Sequence, residues 1–279
     1  MTIAVEKVGD RIWLTFPYDP TLVAKAKRVP GGAYSSVGGP HWAYGLSVRV
    51  CKLLREQFGA EMAVGPALSA WAREAMQREA DLAQLGGQSD ATLTRLPAYA
   101  PVLANAMASR TYQRVAARFI ADGRSVLIAD QPGLGKTLEA LGGIVEAGLT
   151  GPVLVLSLRT AMRSVWEPEI KRWMPQGTNV VVADGSGAKR TTLIDGFWKD
   201  VEAQPNSLHF LICNPEMIRT TRKAEGKVAW YIHKYPALFS TPWAAIIIDE
   251  SAHNQSSLVA PSAAENKMSQ FRLGAKHLP

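Results

Sequence analysis

Gly133-Leu134-Gly135-Lys136-Thr137 is the stretch whose residue types and spacing say most about chemistry. It follows the apolar run Ser125–Ala129 and the turn Asp130-Gln131-Pro132, and a helix-forming stretch begins at Leu138. Polyphosphate binding needs this combination. Glycines let backbone N–H groups close on phosphate oxygens, and a helix N-terminus adds partial positive charge. Lys136 is then placed to neutralise β- and γ-phosphates, and the Thr137 hydroxyl to ligate Mg²⁺. In the pattern GxxxxGK[ST] the first glycine is replaced here by Asp130. A glycine-rich connection with no ligand is the alternative; the order strand, turn, GKT, helix favours a nucleotide.

A second signal lies more than a hundred residues downstream. Ala244-Ala245-Ile246-Ile247-Ile248 reads as a buried strand that ends on Asp249-Glu250. Adjacent acids are not buried unpaired, so such a strand presents them at its end to something cationic. Beside a phosphate loop the expected partner is nucleotide-bound magnesium, with Asp249 on the metal and Glu250 orienting or deprotonating the attacking water. The competing reading is a solvated acidic strand end.

These residues require a scaffold. From residue 109 onward, short apolar strands are expected at Ser125–Ala129, Pro152–Leu156, Asn179–Ala183, Leu208–Cys213 and Ala244–Ile248, separated by helix-length segments. Near-continuous apolarity fits strands covered on both faces, so the alternation predicts a doubly wound parallel α/β sheet with ligands at the carboxyl ends of its strands. Ahead of it the pattern is mixed. Arg11–Phe16 alternates like a strand, Asp19-Pro20 opens a helix through Ala26, Trp42 and Tyr44 sit in a short strand, and residues 47–58 and 66–84 read as amphipathic helices. A loop at 85–90 followed by Pro97 and Pro101 marks the main punctuation. The expected division is a small α+β module at 1–64, a helical linker or brace at 65–107, and the α/β lobe at 108–279.

Composition excludes several classes. The chain has 279 residues, of which 47% are hydrophobic and 20% charged, with two cysteines and a formal charge of +7. This is enough apolar material for a core, and it argues against a disordered tail or a cysteine-rich zinc framework. No run approaches the ~20 apolar residues of a membrane span, and the start MTIAVEKVGDRIW lacks the apolar core of a signal peptide. The expectation is a soluble, cytoplasmic protein (nuclear in a eukaryote) with no membrane partner. The basic excess is spread along the chain, which permits a nucleic-acid partner without demanding one.

The motifs resemble those of Swi/Snf-type ATPases in helicase superfamily two. DQPGLGKT (130–137) is similar to that family's first motif, in which aspartate replaces the first glycine. Arg110-Thr111-Tyr112-Gln113 resembles its adenine-reading segment, Trp166–Trp173 its W-x-x-E-x-x-x-W stretch, and Asp249-Glu250-Ser251-Ala252-His253 its DEAH-type motif with the histidine one residue late. The resemblance implies a RecA-like ATP-binding lobe with cofactors ATP and Mg²⁺. It implies ATP contacts from Gln113, Asp130, Gly133, Leu134, Gly135, Lys136 and Thr137, metal ligation by Thr137 and Asp249, and catalytic roles for Lys136, Asp249 and Glu250. Arg159, Thr160 and Arg163 stand where the family touches one DNA strand through its phosphates. The implied partner is duplex or branched DNA, and the implied activity is DNA-dependent ATP hydrolysis coupled to translocation.

A second resemblance covers about residues 8–60, which look like the HepA-related (HARP-type) module of annealing helicases. There Trp13, Phe16, Tyr18, Trp42 and Tyr44 would stack on bases, or fill a small core, with Lys25, Lys27 and Arg28 on phosphates. Arg219–Lys227 reads as a charged, solvated loop. The family hydrolyses ATP between two RecA-like lobes, and no Thr-Gly-Thr-Pro-like opening of the next element precedes Pro279. The chain is therefore expected to bind ATP, to hydrolyse it slowly, and to need a second lobe from another chain. The alternative is a non-hydrolysing ATP- and DNA-binding or partner-binding module.

Overall fold

The computed structural model describes residues 3–123, 125–225, 228–240 and 242–249. The chain divides into two compact units, Met1–Leu85 and Gly86–Pro279.

In the first unit, β1 (Ile3–Val8) and β2 (Arg11–Thr15) form a hairpin around Gly9, whose φ of 56° suits the tight turn. After them come α1 (Pro20–Arg28), β3 (Ala33–Ser35), β4 (His41–Gly45), α2 (Val48–Phe58), β5 (Met62–Val64) and α3 (Pro66–Gly86). The sheet order is β3-β4-β2-β1-β5, with β5 alone parallel to its neighbour. Alternation selects the core: Ile3, Val5, Ile12 and Leu14 point inward, against Leu54 and Phe58 of α2. Asp19 caps α1 by accepting the Thr21 and Leu22 N–H groups, and Ser47 caps α2 through Val50 N–H.

The rings expected to stack on bases are mostly engaged with the protein. Tyr44 is fully buried and its hydroxyl donates to the Ala26 carbonyl at 2.9 Å, so it is a core residue and not a base platform. Burial pushes its phenol up to about 12. Trp13 stacks on His41 with centroids 3.8 Å apart, Trp42 meets Tyr34 edge-on, and Phe16 packs near Phe58. Tyr18 is 85% exposed.

In the second unit, the helices α4 (Leu96–Tyr99), α5 (Pro101–Met107), α6 (Thr111–Asp122) and α7 (Lys136–Glu146) precede the sheet strand β6 (Gly151–Leu156). A continuous helical run follows: α8 (Arg159–Ala161), a π turn (Met162–Trp166) and α9 (Glu167–Trp173). Then come β7 (Asn179–Val182), α10 (Gly187–Ala203), β8 (Leu208–Cys213), the hairpin β9 (Thr220–Glu225) and β10 (Val228–His233), and β11 (Ala245–Ile248). The main sheet is parallel throughout, in the order β11-β6-β8-β7. Its central strands β6 and β8 are buried at every residue. Val153, Val155, Phe210 and Ile212 enter the core shared with α5, α6, α7 and α9. Leu154, Leu156, Leu211 and Cys213 enter the opposite core, with Ile194 and Phe197 of α10. Helices on both faces make this the doubly wound lobe of the expected class.

Two expectations are corrected. Ser125–Ala129 forms no strand: it pairs with nothing described, Leu127 is 66% exposed, and the Val126 side chain occupies the place a Cβ on Gly123 would take. An apolar run becomes a strand only where a partner edge completes its ladder. The segment read as a charged loop from Arg219 contains β9, paired antiparallel with β10 from Thr220↔His233 to Glu225↔Val228. Pro97 and Pro101 open helices α4 and α5, where a missing N–H costs nothing. Among the described residues, no helix is long and apolar enough to cross a membrane.

Candidate nucleotide site

The loop 130–137 leads directly into α7. Gly133 and Gly135 adopt φ of 86° and 89°, conformations that side-chain-bearing residues resist. Gly135 is the N-cap of α7 and no side chain caps that helix, so its first turn is open to an external acceptor. The Lys136 ammonium donates to the Asp130 and Gln131 carbonyls at 2.9 and 3.1 Å, which holds it over the loop. Thr137 is the second residue of α7 and partly buried.

α6 presses the loop into shape. Gln113 is fully buried, and its Nε2 donates to the Leu134 carbonyl at 2.7 Å, where it is joined by the Tyr112 hydroxyl at 3.1 Å. A Cβ on Gly135 would collide with Gln113 Nε2, so glycine here serves both the φ angle and the close approach. Gln113 Oε1 is buried with no hydrogen-bond partner. Beneath the loop, Glu139 is buried on the first turn of α7. Burial, reinforced by the charge of Asp130 and opposed by Lys136, pushes its carboxyl up to about 7. Sequence reasoning missed Glu139; the signal was a carboxylate in the run Leu138–Leu141, which buries its neighbours.

Asp249 follows β11 immediately. The register Ile248↔Leu156 carries on past the strand ends, so that Asp249 and Ser157 face each other, and Asp249 N–H donates to the Leu156 carbonyl at 2.9 Å. Oδ2 of Asp249 accepts from the Ser157 hydroxyl at 3.0 Å and from the Trp166 indole Nε1–H at 2.8 Å. Neither donor was identified from sequence. The parallel register was the available signal for Ser157, whereas Trp166 arrives through the π turn. Leu138 and Leu141 of α7 share one core with Trp166, Val153 and Val155. Glu250 and His253 lie outside the described residues.

Arg159 and Arg163 project from the same helical run. Both reach Asp184, at 3.2 and 3.8 Å, with Arg190 at 4.0 Å; Arg163 also pairs with Glu167. The Gly185 N–H, and after it the arginines, hold the Asp184 carboxyl below the usual range. Thr160 is exposed at the run's start. Among the described residues no group of three or more His, Cys, Asp or Glu could hold a metal unaided.

A glycine loop opening a helix beside a doubly wound parallel sheet, with a carboxylate at a strand's end, defines a RecA-like P-loop lobe. The chain belongs to the SNF2-related domain family, whose model matches residues 42–270. It is similar to chromodomain-helicase-DNA-binding protein 7 of Homo sapiens, at 31% identity over 137 residues, covering 46% of this chain and 4% of that protein. It is also similar to the chromatin-remodeling ATPase INO80 of Drosophila melanogaster, at 30% over 114 residues, 39% of this chain and 7% of the relative. The helicase SWR1 of Debaryomyces hansenii is 27% identical over 153 residues, 52% of this chain and 8% of the relative. The chain thus spans less than a tenth of the length of these relatives.

Proposed function

We propose that residues 108–279 form the ATP-binding lobe of a DNA-dependent Swi/Snf-type ATPase that moves on or remodels DNA. In this reading a second RecA-like lobe completes the catalytic site, residues 65–107 form a helical linker or brace, and a HARP-like module at 1–64 docks branched DNA. The observation that carries it is the uncapped N-terminus of α7 under a loop bent by two left-handed glycines, with Lys136 at its mouth. This set fits a triphosphate. The amides around Gly133–Thr137 receive anionic oxygens, Lys136 leaves its two carbonyls for the β- and γ-phosphates, and Asp130 and Leu134 shape the loop. The buried, unpartnered Oε1 of Gln113 supports a contact with the base or its nearest donor.

Thr137 and Asp249 are the residues to hold Mg²⁺, which when bound neutralises charge on the β- and γ-phosphates. Magnesium characteristically uses one or two protein oxygens plus phosphates, and this donor set fits that habit. Glu250 is assigned to orient or deprotonate the attacking water. Arg159, Thr160 and Arg163 are assigned to DNA phosphates, in keeping with the names of the relatives. An arginine finger is worth about 10³–10⁵ in rate, so residues 108–279 acting without a second lobe are expected to turn over slowly.

Calorimetric titration of the full chain with Mg·ATP and with duplex DNA tests this. Lys136→Ala should weaken ATP at least about tenfold, the loss of one charge-assisted contact, and leave DNA affinity unchanged. ATP affinity equal to that of the wild type would overturn the assignment. Multi-turnover, DNA-stimulated hydrolysis by the chain alone would overturn the need for a second lobe.

A further inference from the structure

Oδ2 of Asp249 is held from two sides. The Ser157 hydroxyl donates at 3.0 Å from the adjacent strand end, and the Trp166 indole N–H at 2.8 Å from the helical run beyond it. Ser157 is fully buried and Trp166 is 3% exposed, so both bonds lie where water competes poorly. Two donors converging on one oxygen stop rotation of the carboxylate about its Cβ–Cγ bond.

The backbone is bent to make this contact. Residues 162–166 form a π turn in which Glu167 N–H bonds to the Met162 carbonyl five residues back. Such turns are rare and cluster at functional sites. Here the turn sends Trp166 inward while its neighbours Arg163, Ser164 and Val165 remain exposed. If the ring were needed only for packing, any large apolar side chain would serve; the indole N–H has its own partner, and that partner is the one carboxylate at the end of β11 read as a metal ligand.

We infer that Trp166 and Ser157 are positioning residues that fix the Asp249 carboxylate for magnesium-bound nucleotide. The inference rests on the proposed metal role of Asp249. Partners one step removed from a metal orient the ligand that touches it, and their loss typically costs 10–100-fold in metal affinity or activity. Trp166→Phe keeps the packed ring and deletes the donor.

ATP affinity of the full chain, measured with Mg²⁺ and with EDTA, is the first test. Trp166→Phe should weaken Mg·ATP about tenfold and leave metal-free ATP unchanged. In an Asp249→Asn background the same change should have no further effect. The second readout is the set of indole ¹H–¹⁵N resonances of the chain's eight tryptophans. The Trp166 peak, identified by its disappearance in Trp166→Phe, should shift in Asp249→Asn, in Ser157→Ala, and when Mg²⁺ is added to the ATP-loaded chain. Ser157→Ala, which removes a single atom, carries both tests if Trp166→Phe fails to fold. Equal loss with and without metal, no loss at all, or a loss that persists beside Asp249→Asn overturns the inference. If Asp249→Asn weakens Mg·ATP but neither donor variant does, the positioning role alone fails. If Asp249→Asn leaves Mg·ATP unaltered, the metal role of Asp249 fails with it.

Discussion

At Gly135 a φ of 89° coincides with the approach of Gln113 Nε2 to the space a Cβ would fill, whereas Gly133, at φ 86°, has nothing within reach. Alanine at Gly133 should therefore cost the left-handed conformation alone, about 1–2 kcal/mol. Alanine at Gly135 should add displacement of Gln113 from the Leu134 carbonyl. Denaturant unfolding and ATP titration of the two variants should rank Gly135→Ala as the worse on both counts; equal effects would show that Gln113 does not brace the loop. Glu139 gives a prediction in pH. Its folded carboxyl is raised from 4.5 to about 7, so between those values the folded state holds a proton that the unfolded state has lost, and its contribution to stability declines as pH rises through that window. Glu139→Gln removes the decline. Against the wild type it should be neutral near pH 4 and stabilising above pH 7 by up to about 3 kcal/mol. A difference that is flat with pH in nucleotide-free unfolding curves would contradict this.

At the scale of elements, a single carboxylate ties the segment ahead of α4 to the far end of α7. Glu146 is buried, and its two oxygens accept from the N–H groups of Thr94, Arg95 and Leu96 and from the Thr94 hydroxyl. Burial alone would raise its carboxyl, but these donors together hold it below the usual range. Glu146→Ala strands three backbone donors and should cost about 3 kcal/mol or more in unfolding free energy; a loss under about 1 kcal/mol would make the joint ornamental. This joint was not legible in the sequence, because Glu146 and Thr94 are fifty-two residues apart and no local pattern pairs them. The strands β6, β7, β8 and β11 were legible from apolarity and the start of α1 from Asp19-Pro20, whereas Ser47, read as the first residue of a helix 47–58, is its cap. The run Ser125–Ala129 misled for the same reason that β6 did not: both are apolar, yet only β6 has neighbours on both sides. Arg219–Lys227 looked like a loop because charge hides strand pairing, which is set by the β10 partner. Lys136, Thr137 and Asp249 are site candidates by residue type and spacing, whereas Trp166 needed a π turn that no periodicity announces.

Across the whole molecule, the formal charge of +7 is dispersed rather than concentrated, so the proposed DNA contact is assigned to placed arginines such as Arg159 and Arg163 and not to a basic arm. The family match begins at residue 42, within the first unit, and runs through the lobe. The proposed activity requires the phosphate loop and the tip of β11 to address one metal-bound nucleotide. The most direct measurement substitutes Mn²⁺ for Mg²⁺ and follows paramagnetic broadening of backbone amides in the ATP-loaded chain. Broadening of Gly133–Thr137 together with Asp249 and the Trp166 indole is the expected result; broadening of the loop with Asp249 and Trp166 untouched would contradict it.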